Sequence, residues 1–218
     1  MTNVTNFNDQ CREEEILNSI FHGIGVVLAI AGTIVMLVCA FYNSDPVGIV
    51  STSIYGSSLI FLYIISTLYH AFSNPNTKRI FQKLDHCSIF ILIVGSYAPI
   101  CLSLLGGTRG WVLFSINIFC AIAGVVANAI NVKKWHKLSI LLYLLMGWSV
   151  IFAIKALLDL ITLNGFALLL IGGLFYSIGV VFYNAKSPHF MHSIWHLFVM
   201  FGSAFHYFFV LFYIILYP

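Results

Sequence analysis

The sequence predicts an all-α membrane protein of seven transmembrane helices, and three observations carry that reading. Of its 218 residues, 61% are hydrophobic and 8% charged, where a soluble domain carries roughly 25% charged residues. Apolar runs recur along the whole chain, each near the ~20 residues a helix needs to cross the hydrocarbon core. The breaks between them are short, and no polar stretch is long enough to build a soluble domain.

The elements follow in order. MTNVTNFNDQCREEE opens a polar, acidic tail at 1–17, without the basic and short apolar regions of a secretory signal. The membrane domain, 18–218, begins with span one at 18–41, closed by NSDP at 43–46. Span two (47–72) is closed by SNPNTKR at 73–79, and span three (82–105) by GGTRG at 106–110. Span four (110–131) leads through NVKKWHK at 131–137 into span five (137–158). Span six (161–183) ends at NAKSPH, 184–189, and span seven runs over 189–216. Pro, Gly, Asn, Asp and Ser dominate most of these breaks, as turn chemistry requires. Ser187 followed by Pro188 looks like a capped start for span seven. GGLFYSIG at 172–179 reads as a close contact between helices, because small residues let backbones approach.

Lysine and arginine give the orientation, since cytoplasmic loops are enriched in them. The tail and the loops after spans two, four and six hold Arg12, Lys78, Arg79, Lys83, Lys133, Lys134, Lys137 and Lys186. The other face holds Arg109, and Lys155 can snorkel towards it. The N-terminus is therefore expected in the cytoplasm and the C-terminus outside. That is opposite to rhodopsin-like receptors, and the last span lacks the lysine that a retinal protein needs. Cys11, Cys39, Cys87, Cys101 and Cys120 form no CxxC pair; four of them lie in or beside apolar segments, where a thiol is a small hydrophobe, and together they imply neither a disulfide framework nor a thiolate metal site.

Ionisable residues inside spans are costly, so each is a functional candidate. Most sort onto the cytoplasmic layer. Span two ends there with Ser66 and His70, span three begins with Asp85 and His86, span seven begins with His192 and His196, and span one begins with Glu15, Asn18 and His22. Residues four apart share a helix face, so His192 and His196 could aim two imidazoles at one ion, although two such histidines could equally serve as hydrogen-bond partners between helices. His70 would complete three ligands and leave a fourth tetrahedral position open, the pattern of a catalytic Zn2+. Asp85 could hydrogen-bond a ligand histidine or the bound water. His136 in its loop and His189 at a boundary read as solvated. His206 lies about 15 Å deeper than His196 by helix rise and is expected to bond a neighbouring helix.

With these residues in hand, the chain resembles the hemolysin III family, the bacterial branch related to the adiponectin and progestin receptors. The resemblance rests on ExxNxxxHGxG (Glu15 to Gly25), SxxxH (Ser66 to His70), KLDHCSIFILIVGSYAP (Lys83 to Pro99), MGW (Met146 to Trp148), GGLFYSIGVVFY (Gly172 to Tyr183) and HxxxH (His192 to His196). It implies zinc held near the cytoplasmic side by His70, His192 and His196. It also implies that Asp85 contacts the zinc water, that Ser66 lies nearby, and that the chain resides in a bacterial inner membrane. Glu15, Asn18, His22 and His86 would either support the site from outside it or serve the structure alone. Alkaline ceramidases, membrane hydrolases that cleave lipid amides, share this logic.

Three functions are then open. One is a zinc-dependent hydrolase of a lipid amide or ester, with Asp85 as general base and later acid and Ser66 orienting water or donating to an oxyanion. Its expected partners are membrane lipids and a substrate with an acyl chain, not nucleic acid. A second is a membrane-perturbing or pore-forming hemolysin, which the nearly apolar outer halves of the spans argue against for a single chain. The third is a sensor in which zinc only staples spans two, three and seven together.

Overall fold

The computed structural model describes residues 11–185 and 190–216. Among them every regular element is helical. Helix α1 spans Arg12–Asn43, α2 Pro46–Ala71 and α3 Pro75–Ala98, which continues through a wide π-helical turn at Pro99–Leu105. Helix α4 spans Gly107–Gly147 and is followed by a 3-10 turn, Ser149–Ala153, and the short α5, Ile154–Leu158. Helices α6, Leu163–Tyr183, and α7, Met191–Val210, complete the bundle, and a π-helical turn at Leu211–Leu216 extends α7.

Six helices among the described residues are long and apolar enough to cross a membrane, where seven spans were expected. The difference lies at 107–158, where the expected spans four and five form one helical stretch. The NVKKWHK loop expected there is a single non-helical residue, Asn131 (φ −158°, ψ 98°). Its side chain accepts from Lys134 N at 3.0 Å, so one residue both breaks the first arm and caps the second. The stretch doubles back at that point. Asn128 Nδ2 reaches the Tyr143 hydroxyl at 3.4 Å and Asn117 Nδ2 reaches Ser149 Oγ at 2.9 Å. A straight helix would hold that second pair about 48 Å apart.

Three of the other breaks behave as their residues suggest. Asp45 caps α2 through Gly48 N at 2.8 Å, with Pro46 in the first turn. Asn74 caps α3 through Asn76 N and Thr77 N, so that helix begins at Pro75 rather than near 82. Gly106 and Gly107 adopt φ of +55° and +52°, which only glycine enters readily, and they end the third helix sharply. Helix α1 likewise starts at Arg12, inside the stretch read as a polar tail. The expected cap at Ser187 and Pro188, together with Lys186 and His189, lies outside the described residues.

Helices α1 to α4 pack side by side in chain order, and α7 closes the bundle against α1 and α6. Helix α2 is the most enclosed. GGLFYSIG is a close contact as expected: a Cβ on Gly179 would stand 2.8 Å from the Trp195 ring and 2.9 Å from Phe198 Cβ, both on α7. Helix α1 turns Glu14, Asn18, His22, Gly25, Ala29 and Thr33 inward, and exposes Ile20, Ile24 and Val27. That is helical periodicity with polarity reversed, as a lipid-facing helix requires. The start of α1, the end of α2 and the starts of α3 and α7 thereby meet in one layer of the bundle.

Candidate metal centre

The three candidate ligands all lie near helix ends. His70 is in the last turn of α2, and His192 and His196 occupy successive turns at the start of α7. One nitrogen from each of the three can be chosen so that all lie within 4.8 Å of one another, the only such ligand cluster among the described residues. His70 Nε2 and His196 Nε2 stand 3.0 Å apart. The ring centroids of His192 lie 5.2 Å from His70 and 4.6 Å from His196.

The chemistry of this donor set fits zinc. Tetrahedral nitrogens at ~2.0–2.1 Å from an ion lie about 3.3 Å apart, so the cluster needs only small adjustments. His192 Nε2 is buried without a hydrogen-bond partner, a cost that a ligand bond removes. His70 Nδ1 meets Glu15 Oε2 at 2.7 Å. An ionised carboxylate only accepts, so Nδ1 carries the hydrogen and Nε2 presents its lone pair to the cluster. This is the carboxylate–histidine arrangement that orients metal ligands.

His22 stands behind His196, Nε2 to Nδ1, at 2.7 Å, and Ser193 Oγ donates to Asn18 Oδ1 at 2.5 Å. Both contacts join α1 to α7. His86 faces elsewhere: its Nδ1 donates to Gln82 O at 2.8 Å, and its Nε2 accepts from the Tyr183 hydroxyl at 3.0 Å. Asp85 is buried on α3. The Ser66 hydroxyl is buried with no hydrogen-bond partner, and it lies near the Asp85 carboxylate. The carboxylate hydrogen-bonded to a histidine of the cluster is Glu15, while Asp85 lies near Ser66.

Residues 11–207 match the family described as "Haemolysin-III related". The chain belongs to that family. Among haemolysin III relatives, it is 41% identical over 215 residues to "Hemolysin-3" of Bacillus cereus, covering 99% of this chain and 96% of the relative. It is 42% identical over 206 residues to the "Hemolysin-3 homolog" of Bacillus subtilis (strain 168), covering 94% and 97%. The human "Monocyte to macrophage differentiation factor" is 29% identical over 202 residues, covering 89% of this chain and 82% of that protein.

In this haemolysin III chain, sequence reasoning missed Glu14, Lys78, Tyr143 and Tyr183. Glu14 Oε1 accepts from His192 N at 3.3 Å, and its spacing of four and eight residues from Asn18 and His22 was the available signal. Lys78 Nζ pairs with Glu15 Oε1 at 2.8 Å. Tyr143 donates to His86 O at 2.8 Å. His136, expected in a solvated loop, is a helical residue packed 5.3 Å from the Tyr183 ring, because the break occupies Asn131 alone. His206 does bond a neighbouring helix, at Leu169 O of α6, 3.2 Å away.

An apolar cavity of about 90 Å³ lies deeper in the bundle, and none of the three clustered histidines lines it. Trp195 and Val199, sequence neighbours of His196, line one part of it, together with Leu62 and Tyr143. His206 lines another.

Proposed function

We propose that this haemolysin III chain is a bacterial inner-membrane hydrolase that uses a Zn2+ ion at His70, His192 and His196 to cleave a lipid amide or ester. The chain would cross the membrane seven times, with its N-terminus in the cytoplasm. The doubling back at Asn131 supports that count, and the lysines and arginines gathered at one end support the orientation. The observation that carries the reading is the buried three-imidazole cluster with a carboxylate, Asp85, and an unbonded hydroxyl, Ser66, in the same layer.

Three neutral imidazoles leave a bound zinc its full charge, which lowers the pKa of its water to about 7. An Asp85 carboxylate oxygen would take a proton from the attacking water and return it to the leaving nitrogen or oxygen. Ser66 Oγ, with no other partner, is free to donate to the substrate carbonyl oxygen as negative charge develops there.

The experiment is cleavage of a panel of acyl amides and esters in liposomes by purified protein, with His192→Ala and His196→Ala alongside. Loss of bound zinc should abolish cleavage; cleavage that survives it overturns the hydrolase. The names of the two Bacillus relatives favour a second reading, perturbation of the membrane itself. Liposome leakage unchanged by His70→Ala would support that reading over the enzyme.

A further inference from the structure

Three charged side chains, Glu14, Glu15 and Lys78, gather at the edge of the histidine cluster, and ligand identity alone does not explain them. We propose that the first turn of α1 is a clamp that sets the geometry of the histidine cluster: Lys78 acts through Glu15 to orient His70, and Glu14 seats the start of α7. The inference rests on the metal-site reading and adds positioning residues to it.

Glu15 uses both of its oxygens. Oε2 meets His70 Nδ1 at 2.7 Å and Oε1 meets Lys78 Nζ at 2.8 Å. The chain runs from a lysine side chain that is 23% exposed, through a carboxylate at 16%, to a fully enclosed imidazole. Lys78 holds more than Glu15. Its ammonium also donates to Tyr69 O at 3.3 Å and Phe72 O at 3.5 Å, and lies 5.0 Å from the centre of the Tyr69 ring. Those carbonyls belong to the end of α2, where a cation is favoured. One lysine of α3 therefore ties the turn that carries His70 to the carboxylate that fixes the ring.

Glu14 does the matching task on α7. That helix begins after Phe190, whose φ of 70° is left-handed and whose side chain has no oxygen with which to cap it. Glu14 Oε1 accepts from His192 N, the second residue of the helix, at 3.3 Å. A carboxylate there satisfies an orphan N–H and complements the positive end of the helix. Asn18 and His22 continue the same face of α1 and bond Ser193 and His196. Two adjacent glutamates thus divide between the two helices that supply all three ligands.

The test uses the full chain in detergent, metal-free and reloaded with zinc or cobalt, as wild type, Lys78→Met, Lys78→Arg, Glu15→Gln, Glu14→Gln and the Lys78→Met/Glu15→Gln double variant. Affinity is read by chelator competition, geometry by the visible bands of cobalt, and fold by thermal unfolding without metal. Removing an outer partner costs about 10–100-fold in metal affinity, and that loss is expected for Lys78→Met, Glu15→Gln and Glu14→Gln. Lys78→Arg should recover most of it. The double variant should be no weaker than Glu15→Gln alone, because Lys78 acts through that carboxylate. The glutamine variants keep the side-chain shape, so they test the clamp even if Lys78→Met fails to fold. Lower metal-free stability with unchanged affinity and cobalt spectrum would make these residues structural ties only and overturn the proposal. Additive losses in the double variant would overturn the path through Glu15. A wild type that binds no metal sinks the metal site and the clamp together; a wild type that binds tightly beside unaffected variants sinks the clamp alone.

Discussion

The geometry ranks the histidines, and replacing each with alanine should reproduce that ranking. His196 is the sharpest case. It is 2% exposed, its Nε2 faces His70 Nε2 at 3.0 Å, and its Nδ1 faces His22 Nε2 at 2.7 Å. His196→Ala therefore removes one of three ligands and strands two buried nitrogens. A stranded buried polar atom costs ~1–3 kcal/mol in a soluble protein, but hydrogen bonds between transmembrane helices average nearer ~0.6 kcal/mol. The metal-free protein should thus lose only about 1–2 kcal/mol and remain folded. Metal binding should fall by more than the ~100-fold that losing an outer partner costs. His70→Ala and His192→Ala should behave alike. His22→Ala removes an outer partner and should weaken binding by about 10–100-fold while leaving one ion per chain at saturating zinc. His206→Ala should leave affinity unchanged. The assay is metal content per chain after gel filtration, followed by chelator competition. Metal retained by His192→Ala, or lost from His22→Ala as completely as from His196→Ala, would refute the assignment of ligands.

Gly179→Leu should separate α6 from α7, because even a Cβ would stand 2.8 Å from Trp195. A stability loss of about 1–3 kcal/mol is expected, together with weaker metal binding because Trp195 precedes His196; thermal unfolding and chelator competition read the two. Tyr183→Phe leaves His86 Nε2 without its donor. It should lower stability by about 1 kcal/mol with metal affinity unchanged, since His86 stands outside the cluster. In a cysteine-free background, cysteines placed at Asn131 and Thr108 should label from opposite sides of sealed spheroplasts, Thr108 from outside. Labelling from the same side would refute the seven crossings.

The convergence of His70, His192 and His196 was legible because two coarse signals were enough to find it. Apolar runs give each residue its depth, and spacing of four gives a shared face. The doubling back of the longest helix was legible in the same way, since the NVKKWHK break lies where Asn131 turns the chain. What remained hidden depended on finer information. Hydropathy marks where lipid begins, not where a helix begins, so the first turn of α1 read as tail, although Glu14 and Glu15 both work from it. Asp85 and Glu15 fall in the same layer, and nothing in the sequence says which carboxylate faces a ligand histidine. That choice depends on how α1 and α3 are rotated against α2.

For α1 that rotation was nonetheless encoded. A helix surrounded by lipid gains little from burying one apolar face rather than another, because acyl chains are as apolar as leucine. Its orientation is decided by the residues that lipid would leave unsatisfied. Glu14, Asn18 and His22, each four residues on from the last, admit one rotation that hides all three, and each then bonds α7. Glu15 lies about 100° around the helix from Glu14, which carries it off the α7 face and onto α2, where His70 waits. A single polar stripe with one extra glutamate beside it therefore contacts both helices that carry the histidine cluster. The same pattern explains why acidic residues adjacent in sequence serve different helices in the fold.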